Sequence, residues 1–144
     1  MELTLTKVDA PSLPKVLVVE DNRLLRWWMT SSLEHAGFVV EAPETLSEAL
    51  QICDTSAIEM LVTDWHLSEP AAAGDGFEVL AHARRHSPQV FAVLISAEAD
   101  AELTGAARNA GFDVVIQKPF PVAEIVGAVH AYQEKSHGRR VEGA

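Results

Sequence analysis

The sequence predicts an α/β fold, with a doubly wound, five-stranded parallel sheet in the order 2-1-3-4-5. Two observations support this prediction. Five apolar runs alternate with five segments of helical periodicity along the 144 residues. Three of the runs contain uninterrupted apolar stretches, which are typical of parallel strands buried on both faces: Val16–Val19, Met60–Val62 and Val90–Ile95. Right-handed crossovers and short connections then favour a flavodoxin-type topology.

The five predicted strands are short and rich in Val, Leu and Ile. They cover Lys15–Glu20, Phe38–Ala42, Ile58–Thr63, Val90–Ile95 and Val114–Gln117. The five predicted helices each follow one strand. They cover Asn22–Ala36, Thr45–Ile52, Phe77–His86, Glu98–Ala110 and Val122–Glu134. Each strand and the helix after it form one βα unit.

Local signals fix several helix ends. Gly37 and Gly111 follow helices as glycine does at helix C-termini. Thr45 with Glu48 three residues later forms a capping box. Within the third helix, Phe77, Leu80 and Ala81 are predicted to face the core.

The chain length fits a single domain. Residues 15–135 are predicted to form it. Met1–Pro14 and Ser136–Ala144 are polar and are predicted to be short tails. The lone Cys53 rules out an intrachain disulfide and is expected to be buried.

Charge and hydropathy exclude several functional classes. The formal net charge is -10, from 21 acidic and 11 basic residues, and no basic patch is present, which argues against nucleic-acid binding. No apolar run reaches the roughly 18 residues of a membrane span, and the first residues lack a signal-peptide pattern. A cytoplasmic protein without membrane contact is therefore expected.

Polar residues follow four of the predicted strands, at the edge where ligands bind in such sheets. Glu20 ends strand 1 and Asp21 follows it, Asp64 follows strand 3, Ser96 follows strand 4 and Lys118 follows strand 5. Three carboxylates, a hydroxyl and an ammonium should therefore converge.

Three neighbouring carboxylates require a compensating cation. Two carboxylates about 4 Å apart repel by about 1 kcal/mol in water and about 4 kcal/mol at an effective dielectric constant of 20. Mg²⁺ suits a site of carboxylates and phosphate. Asp64 lies nearest the centre, so it is the candidate nucleophile for aspartyl-phosphate chemistry, with Glu20 and Asp21 as candidate metal ligands.

With these residues in place, the chain resembles the receiver domain of two-component response regulators over about residues 15 to 135. The matching segments are Val16–Asn22, Leu61–Trp65, Asp75–Leu80, Leu94–Ala97 and Gln117–Phe120. The resemblance implies that Asp64 is phosphorylated by a histidine kinase or a phosphotransfer protein. It also implies that Asp21, Asp64 and the His66 backbone carbonyl bind Mg²⁺, with Glu20 assisting through water.

The resemblance assigns further roles around the phosphoryl group. Ser96 would follow that group, Lys118 would pair with it, and the bond before Pro119 would be cis. The surface from strand 4 to helix 5 would change on phosphorylation and serve for partner docking or homodimerisation. The downstream partner is not identified by the sequence.

The sequence departs from the family pattern in three respects. Val115 stands where the family usually has the aromatic residue of the switch. The loop 65–74 is about four residues longer than usual, with Ser68 in place of a common proline. It could be a tolerated surface loop or a lid over the site. No output domain follows, so the protein acts by docking, or the sequence is a fragment of a longer regulator; the first is favoured.

Trp27 leaves two interpretations open. It is either a partly covered surface aromatic or an anchor for a kinase or phosphotransfer helix, because aromatic residues are common interface hot spots. Val115 is the other candidate partner contact.

Three functional hypotheses follow. The leading one is a phosphoaccepting switch that is not itself an enzyme. The alternative is a degenerate receiver that serves as a phosphorylation-independent adaptor, which Val115 and the long loop favour. An aspartate-nucleophile phosphatase is disfavoured because His66 occupies the position of its second acid.

Overall fold

The computed structural model describes residues 14–67 and 75–143. It contains a parallel sheet in the order β2-β1-β3-β4-β5, as predicted. The strands are β1 (Lys15–Val19), β2 (Val39–Glu41), β3 (Met60–Asp64), β4 (Phe91–Ser96) and β5 (Val114–Gln117). The helices are α1 (Arg23–His35), α2 (Leu46–Thr55), α3 (Asp75–His86), α4 (Ala101–Ala110) and α5 (Val122–Gly143).

The central strands are buried on both faces, which explains their uninterrupted apolar sequences. Alternate residues of the strands point to one face of the sheet, and those such as Leu17 and Leu61 pack under α2, α3 and α4. The intervening residues, such as Val18 and Val62, point to the other face and pack under α1 and α5. The two helical layers leave the ends of the strands open for a site.

Helix boundaries follow the capping signals. The Thr45 side chain accepts a hydrogen bond from the Glu48 amide at 3.1 Å. Gly37 and Gly111 have φ angles of 102° and 109°, in the left-handed region that favours glycine. Asp100 caps α4, so this helix begins three residues later than the predicted Glu98.

Two predictions about helices were wrong. In α3, Ala81 was predicted to face the core but is exposed, whereas Leu80 is buried and Phe77 packs against the core as predicted; Val79 and Ala83 are also buried. The last helix does not end at Glu134 but continues to Gly143, through most of the predicted C-terminal tail. The polar composition of that segment is compatible with a helix as well as with a tail. Residues 1–13 of the predicted N-terminal tail lie outside the described residues.

Cys53 is fully buried, as predicted. Burial, together with the nearby Asp54 charge, raises its pKa to about 11, so the thiol stays protonated at neutral pH. None of the helices within the described ranges has the length and hydropathy needed to cross a membrane.

Candidate phosphoacceptor site

The strand register brings the predicted polar residues to one edge of the sheet. Val19 pairs with Thr63, Asp64 with Ile95, and Ser96 with Gln117. The residues that follow these positions therefore emerge at the carboxyl ends of adjacent strands, the edge at which doubly wound sheets bind ligands.

Lys118 lies between two buried carboxylates. Its Nζ donates a hydrogen bond to Asp64 Oδ2 at 2.9 Å. The same Nζ lies 2.9 Å from Glu20 Oε1, an ion pair without the alignment of a hydrogen bond. Glu20 is 2% exposed and Asp64 is 8% exposed. One ammonium is thus shared by the ends of β1 and β3.

Asp21 completes an acidic cluster. Carboxylate oxygens of Glu20, Asp21 and Asp64 all lie within 4.8 Å of one another, and Asp21 is the exposed member. A single ammonium does not neutralise three carboxylates. An all-oxygen donor set with excess negative charge suits a hard divalent cation such as Mg²⁺.

The pKa shifts reflect this crowding. Burial, and then the charge of Asp64, raise the pKa of Glu20 above its usual range, and its bonds to Lys118 and Asn22 offset this only in part. Burial alone would lower the pKa of Lys118, but its hydrogen bond to Asp64 and its charge interactions with Glu20 and Asp64 outweigh burial and raise it. The Lys118 side chain therefore stays charged at neutral pH.

The backbone around Asp64 fixes its carboxylate. The Trp65 amide donates to Asp64 Oδ1 at 2.7 Å and also to the Ile95 carbonyl at 3.0 Å. The Gly76 amide donates to the Trp65 carbonyl at 3.2 Å. A Cβ atom on Gly76 would overlap the Asp64 carbonyl oxygen, so glycine is required at this close approach.

The segment after Asp64 is partly described. His66 lies beside Trp65, with ring centroids 4.4 Å apart. The buried Asp75 accepts a long hydrogen bond, 3.4 Å, from the Leu67 amide. The metal-binding role of the His66 carbonyl stays a prediction. Most of the long loop, residues 68–74, lies outside the described residues.

Ser96 and Lys118 are joined through the backbone. The Lys118 amide donates to the Ser96 carbonyl at 2.8 Å, and the Ser96 hydroxyl accepts from the Glu98 amide at 2.9 Å. Ser96 is 2% exposed. The Lys118–Pro119 bond is cis, which confirms the prediction.

The two candidate partner contacts differ in exposure. Val115 is half-buried and packs against the core under α2, α3 and α4. Trp27 is 67% exposed, beside Leu24 at 80%, along an open surface cleft of about 770 Å³. This exposure agrees with both interpretations of Trp27.

Sequence reasoning missed two residues that shape the site. Arg26 Nη1 donates to the Glu20 carbonyl at 2.8 Å. Asn22 caps α1, and its amide donates to Glu20 Oε2 at 3.1 Å. The positive charge of Arg26 is a signal that could have identified it, because a basic residue near a helix N-terminus opposes the helix dipole.

Comparisons with known proteins agree with the fold. The sequence model for the response regulator receiver domain matches residues 16–130. The KDP operon transcriptional regulatory protein KdpE of Escherichia coli (strain K12) is 32% identical over 110 residues, 76% of this chain and 47% of KdpE. The DNA-binding transcriptional regulator NtrC of the same strain is 25% identical over 131 residues, 88% of this chain and 27% of NtrC. The chain thus spans about half the length of these curated relatives, or less.

Two solved structures show the same fold. A CheY-like response regulator receiver domain protein from Methanospirillum hungatei JF-1 has a TM-score of 0.76 at 23% identity, covering 88% of this chain and 99% of the other. A response regulator from Burkholderia pseudomallei, solved with a phosphorylated aspartic acid, a calcium ion and citrate, has a TM-score of 0.71 at 22% identity, covering 91% and 75%. With the family match over most of its length, the chain belongs to the receiver domains of two-component response regulators.

Proposed function

We propose that Asp64 accepts a phosphoryl group from the phosphohistidine of a histidine kinase or phosphotransfer protein. The protein would then act as a switch and not as an enzyme with turnover. The observation that carries this proposal is the Lys118 ammonium 2.9 Å from Asp64 Oδ2, within the acidic cluster. The phosphorylated aspartic acid in the Burkholderia pseudomallei relative supports it.

In the proposed step, an Asp64 oxygen forms a bond to phosphorus while the phosphorus–nitrogen bond to the donor imidazole breaks. The imidazole keeps the electron pair of the broken bond. The Trp65 amide orients the Asp64 carboxylate through Oδ1. Lys118 neutralises charge on the transferred group, as phosphoryl transfer requires. The Ser96 hydroxyl is proposed to bind a phosphoryl oxygen after transfer.

A divalent cation fits the donor set at this edge. Asp21, Asp64 and the His66 carbonyl would hold Mg²⁺, with Glu20 acting through water. When bound, Mg²⁺ supplies the positive charge that Lys118 alone does not provide for three carboxylates and an incoming phosphoryl group. The chain's own contribution is to hold these oxygens together before the donor arrives.

We propose that phosphorylation is read out by docking of a protein partner, with the surface from β4 to α5 as the docking or homodimerisation face. The backbone link from Ser96 to Lys118 joins β4 to the end of β5 on this face. An aromatic side chain at position 115 cannot transmit the phosphorylation signal here, because that residue is Val115. A net charge of -10 favours a protein partner over a nucleic acid.

Phosphorylation by a small phosphodonor in the presence of Mg²⁺ tests this function. Intact-protein mass spectrometry should show one acid-labile phosphoryl group, and the variant Asp64→Asn should show none, because the amide is not a nucleophile. Asp54→Asn, which changes a half-exposed aspartate on α2, is the control and should be labelled normally. Equal labelling of Asp64→Asn and the unmodified protein would exclude Asp64 as the acceptor.

A second function, a phosphorylation-independent adaptor, is favoured by one observation, the aliphatic Val115 at the switch position. The same experiment separates the two functions. An adaptor would show no labelling, and no change of tryptophan fluorescence at millimolar Mg²⁺, although Trp65 adjoins the site.

A further inference from the structure

Arg26 contacts the backbone of the acidic cluster from α1. Its side chain is 12% exposed and turns back toward the end of β1, where Nη1 donates to the Glu20 carbonyl at 2.8 Å. Nη2 lies 3.9 Å from Glu44 Oε2, a carboxylate that is mostly exposed. The short bond to the carbonyl is therefore the main contact of this guanidinium.

The position of Arg26 is unfavourable for the helix itself. The first turn of α1 contains no acidic residue and begins with Arg23. Helix N-termini carry partial positive charge and are stabilised by anions, so two arginines there oppose the dipole. A residue that breaks a local preference beside a site suggests a role in that site.

The bonded carbonyl belongs to the peptide unit between Glu20 and Asp21. Because a peptide unit is planar, holding its oxygen restricts the directions of both flanking side chains. The Glu20 carboxylate has further support from the Asn22 amide and Lys118. Within the described part of the chain, the exposed Asp21 carboxylate has no comparable support, so its direction depends on the backbone.

We propose that Arg26 is a positioning residue that orients the Glu20–Asp21 peptide so that both carboxylates face the cation. This inference rests on the proposed metal site. Groups that orient metal ligands without touching the metal typically change metal affinity by about 10- to 100-fold when removed. Arg26 would act in this way through the backbone.

Charge alone predicts the opposite result. Removing the positive guanidinium that is bonded to the Glu20 carbonyl makes the charge around the acidic cluster more negative, which strengthens the attraction for a cation. Removing a positioning group weakens cation binding. The sign of the change therefore separates a positioning role from a purely electrostatic one.

The test is a MgCl₂ titration followed by tryptophan fluorescence. The midpoints of the titrations are compared and not the intensities, because Trp27 adjoins Arg26 in sequence and its fluorescence can change with the substitution. Arg26→Met should weaken Mg²⁺ binding roughly tenfold or more. Arg26→Lys keeps the positive charge but loses the planar guanidinium group, and should weaken Mg²⁺ binding by less than Arg26→Met does. Arg23→Met, an exposed arginine on the same helix turn, is the charge control and should leave binding unchanged or slightly tighter.

A metal-free measurement complements the titration. Hydrogen exchange of the Asn22 amide, which donates to Glu20 Oε2, should accelerate in Arg26→Met and not in Arg23→Met. Unchanged or tighter Mg²⁺ binding by Arg26→Met, with a normal titration of the unmodified protein, overturns the positioning role alone. Absence of Mg²⁺ binding by the unmodified protein overturns the metal site, and the role of Arg26 with it.

Discussion

Two charged clusters lie at opposite edges of the sheet and differ in their balance of charge. The carboxyl-edge cluster consists of Glu20, Asp21, Asp64 and Lys118. The amino-edge cluster consists of Arg84, Asp113 and Lys135. The first has three carboxylates around one ammonium, whereas the second has one carboxylate between two cations.

The amino-edge cluster is held within the fold by hydrogen bonds to the backbone. Asp113 accepts hydrogen bonds from the Ala92 amide at 2.9 Å and from Lys135 Nζ at 2.7 Å. Arg84 Nη2 donates to the carbonyls of Val90 and Gly111 at 3.1 and 2.9 Å. These bonds connect the loops at this edge, where the carboxylate is paired, whereas the excess of negative charge at the other edge favours binding of a cation.

The largest effect is expected when the carboxyl-edge cluster loses its ammonium. Lys118→Met leaves buried carboxylates without their cation and should destabilise the metal-free protein by about 3 kcal/mol. Mg²⁺ should recover part of this loss, because it supplies the missing charge. Urea unfolding in EDTA and in excess Mg²⁺ measures both.

The matched control is Lys135→Met at the amino edge. Its side chain is 39% exposed, so the loss should stay within about 1 kcal/mol and should not depend on Mg²⁺. If both lysine variants lost equal stability with no Mg²⁺ dependence, the contrast between the two edges would be wrong.

An intermediate effect is expected at Gly111. The variant Gly111→Ala places a side chain at φ 109° and a Cβ 2.6 Å from Arg84 Nη1, which displaces the guanidinium. The free energy of unfolding should fall by about 2 kcal/mol. Phosphorylation of Asp64 should be unaffected, because the change lies at the amino edge.

Gly105→Ala on α4 is the control for this substitution. Among the described residues, no atom outside the adjoining backbone of α4 lies within 4 Å of an added Cβ there. Because alanine also favours helix, stability should rise by up to about 1 kcal/mol. Loss of labelling in Gly111→Ala would show that the amino edge also contributes to acceptor chemistry.

The smallest effect is expected at Asp21. Asp21→Asn reduces repulsion among the three carboxylates and should stabilise the metal-free protein by at most about 1 kcal/mol. It should also remove most of the stabilisation by Mg²⁺, which for the unmodified protein is about 2.7 kcal/mol at 100 times the Kd. Thermal unfolding with and without Mg²⁺ measures both changes.

Asp113→Asn provides the comparison for Asp21. It should lower stability with no Mg²⁺ dependence, because that carboxylate already has partners. The two substitutions should thus change the metal-free stability in opposite directions. A loss of metal-free stability in both variants would contradict the contrast between the two edges of the sheet.

The sequence predicts the clustering of Glu20, Asp21, Asp64 and Lys118 because strand ends are a strong signal. Once Asp64, Ser96 and Lys118 are assigned to the ends of parallel strands, sheet geometry brings them together. The prediction needs only the alternation of strands and helices, and small errors at element boundaries do not change it.

Other features depend on information that periodicity does not contain. Ala81 is small and apolar, so its sequence position does not distinguish the core from the solvent face. The contact of Arg26 with a carbonyl six residues earlier depends on how a long side chain turns back. The extension of α5 to Gly143 runs through a polar segment without a strong stop signal.

The hydrogen bond from the Gly76 amide to the Trp65 carbonyl has a consequence for protein engineering. It joins the two residues that flank the loop, directly beside Asp64. The two ends of the loop are therefore held together independently of the loop's length. Added loop length carries only a slowly growing entropy term. A peptide tag or a sensor module inserted between residues 67 and 75 is therefore expected to leave the Asp64 backbone in place, provided that Gly76 is kept.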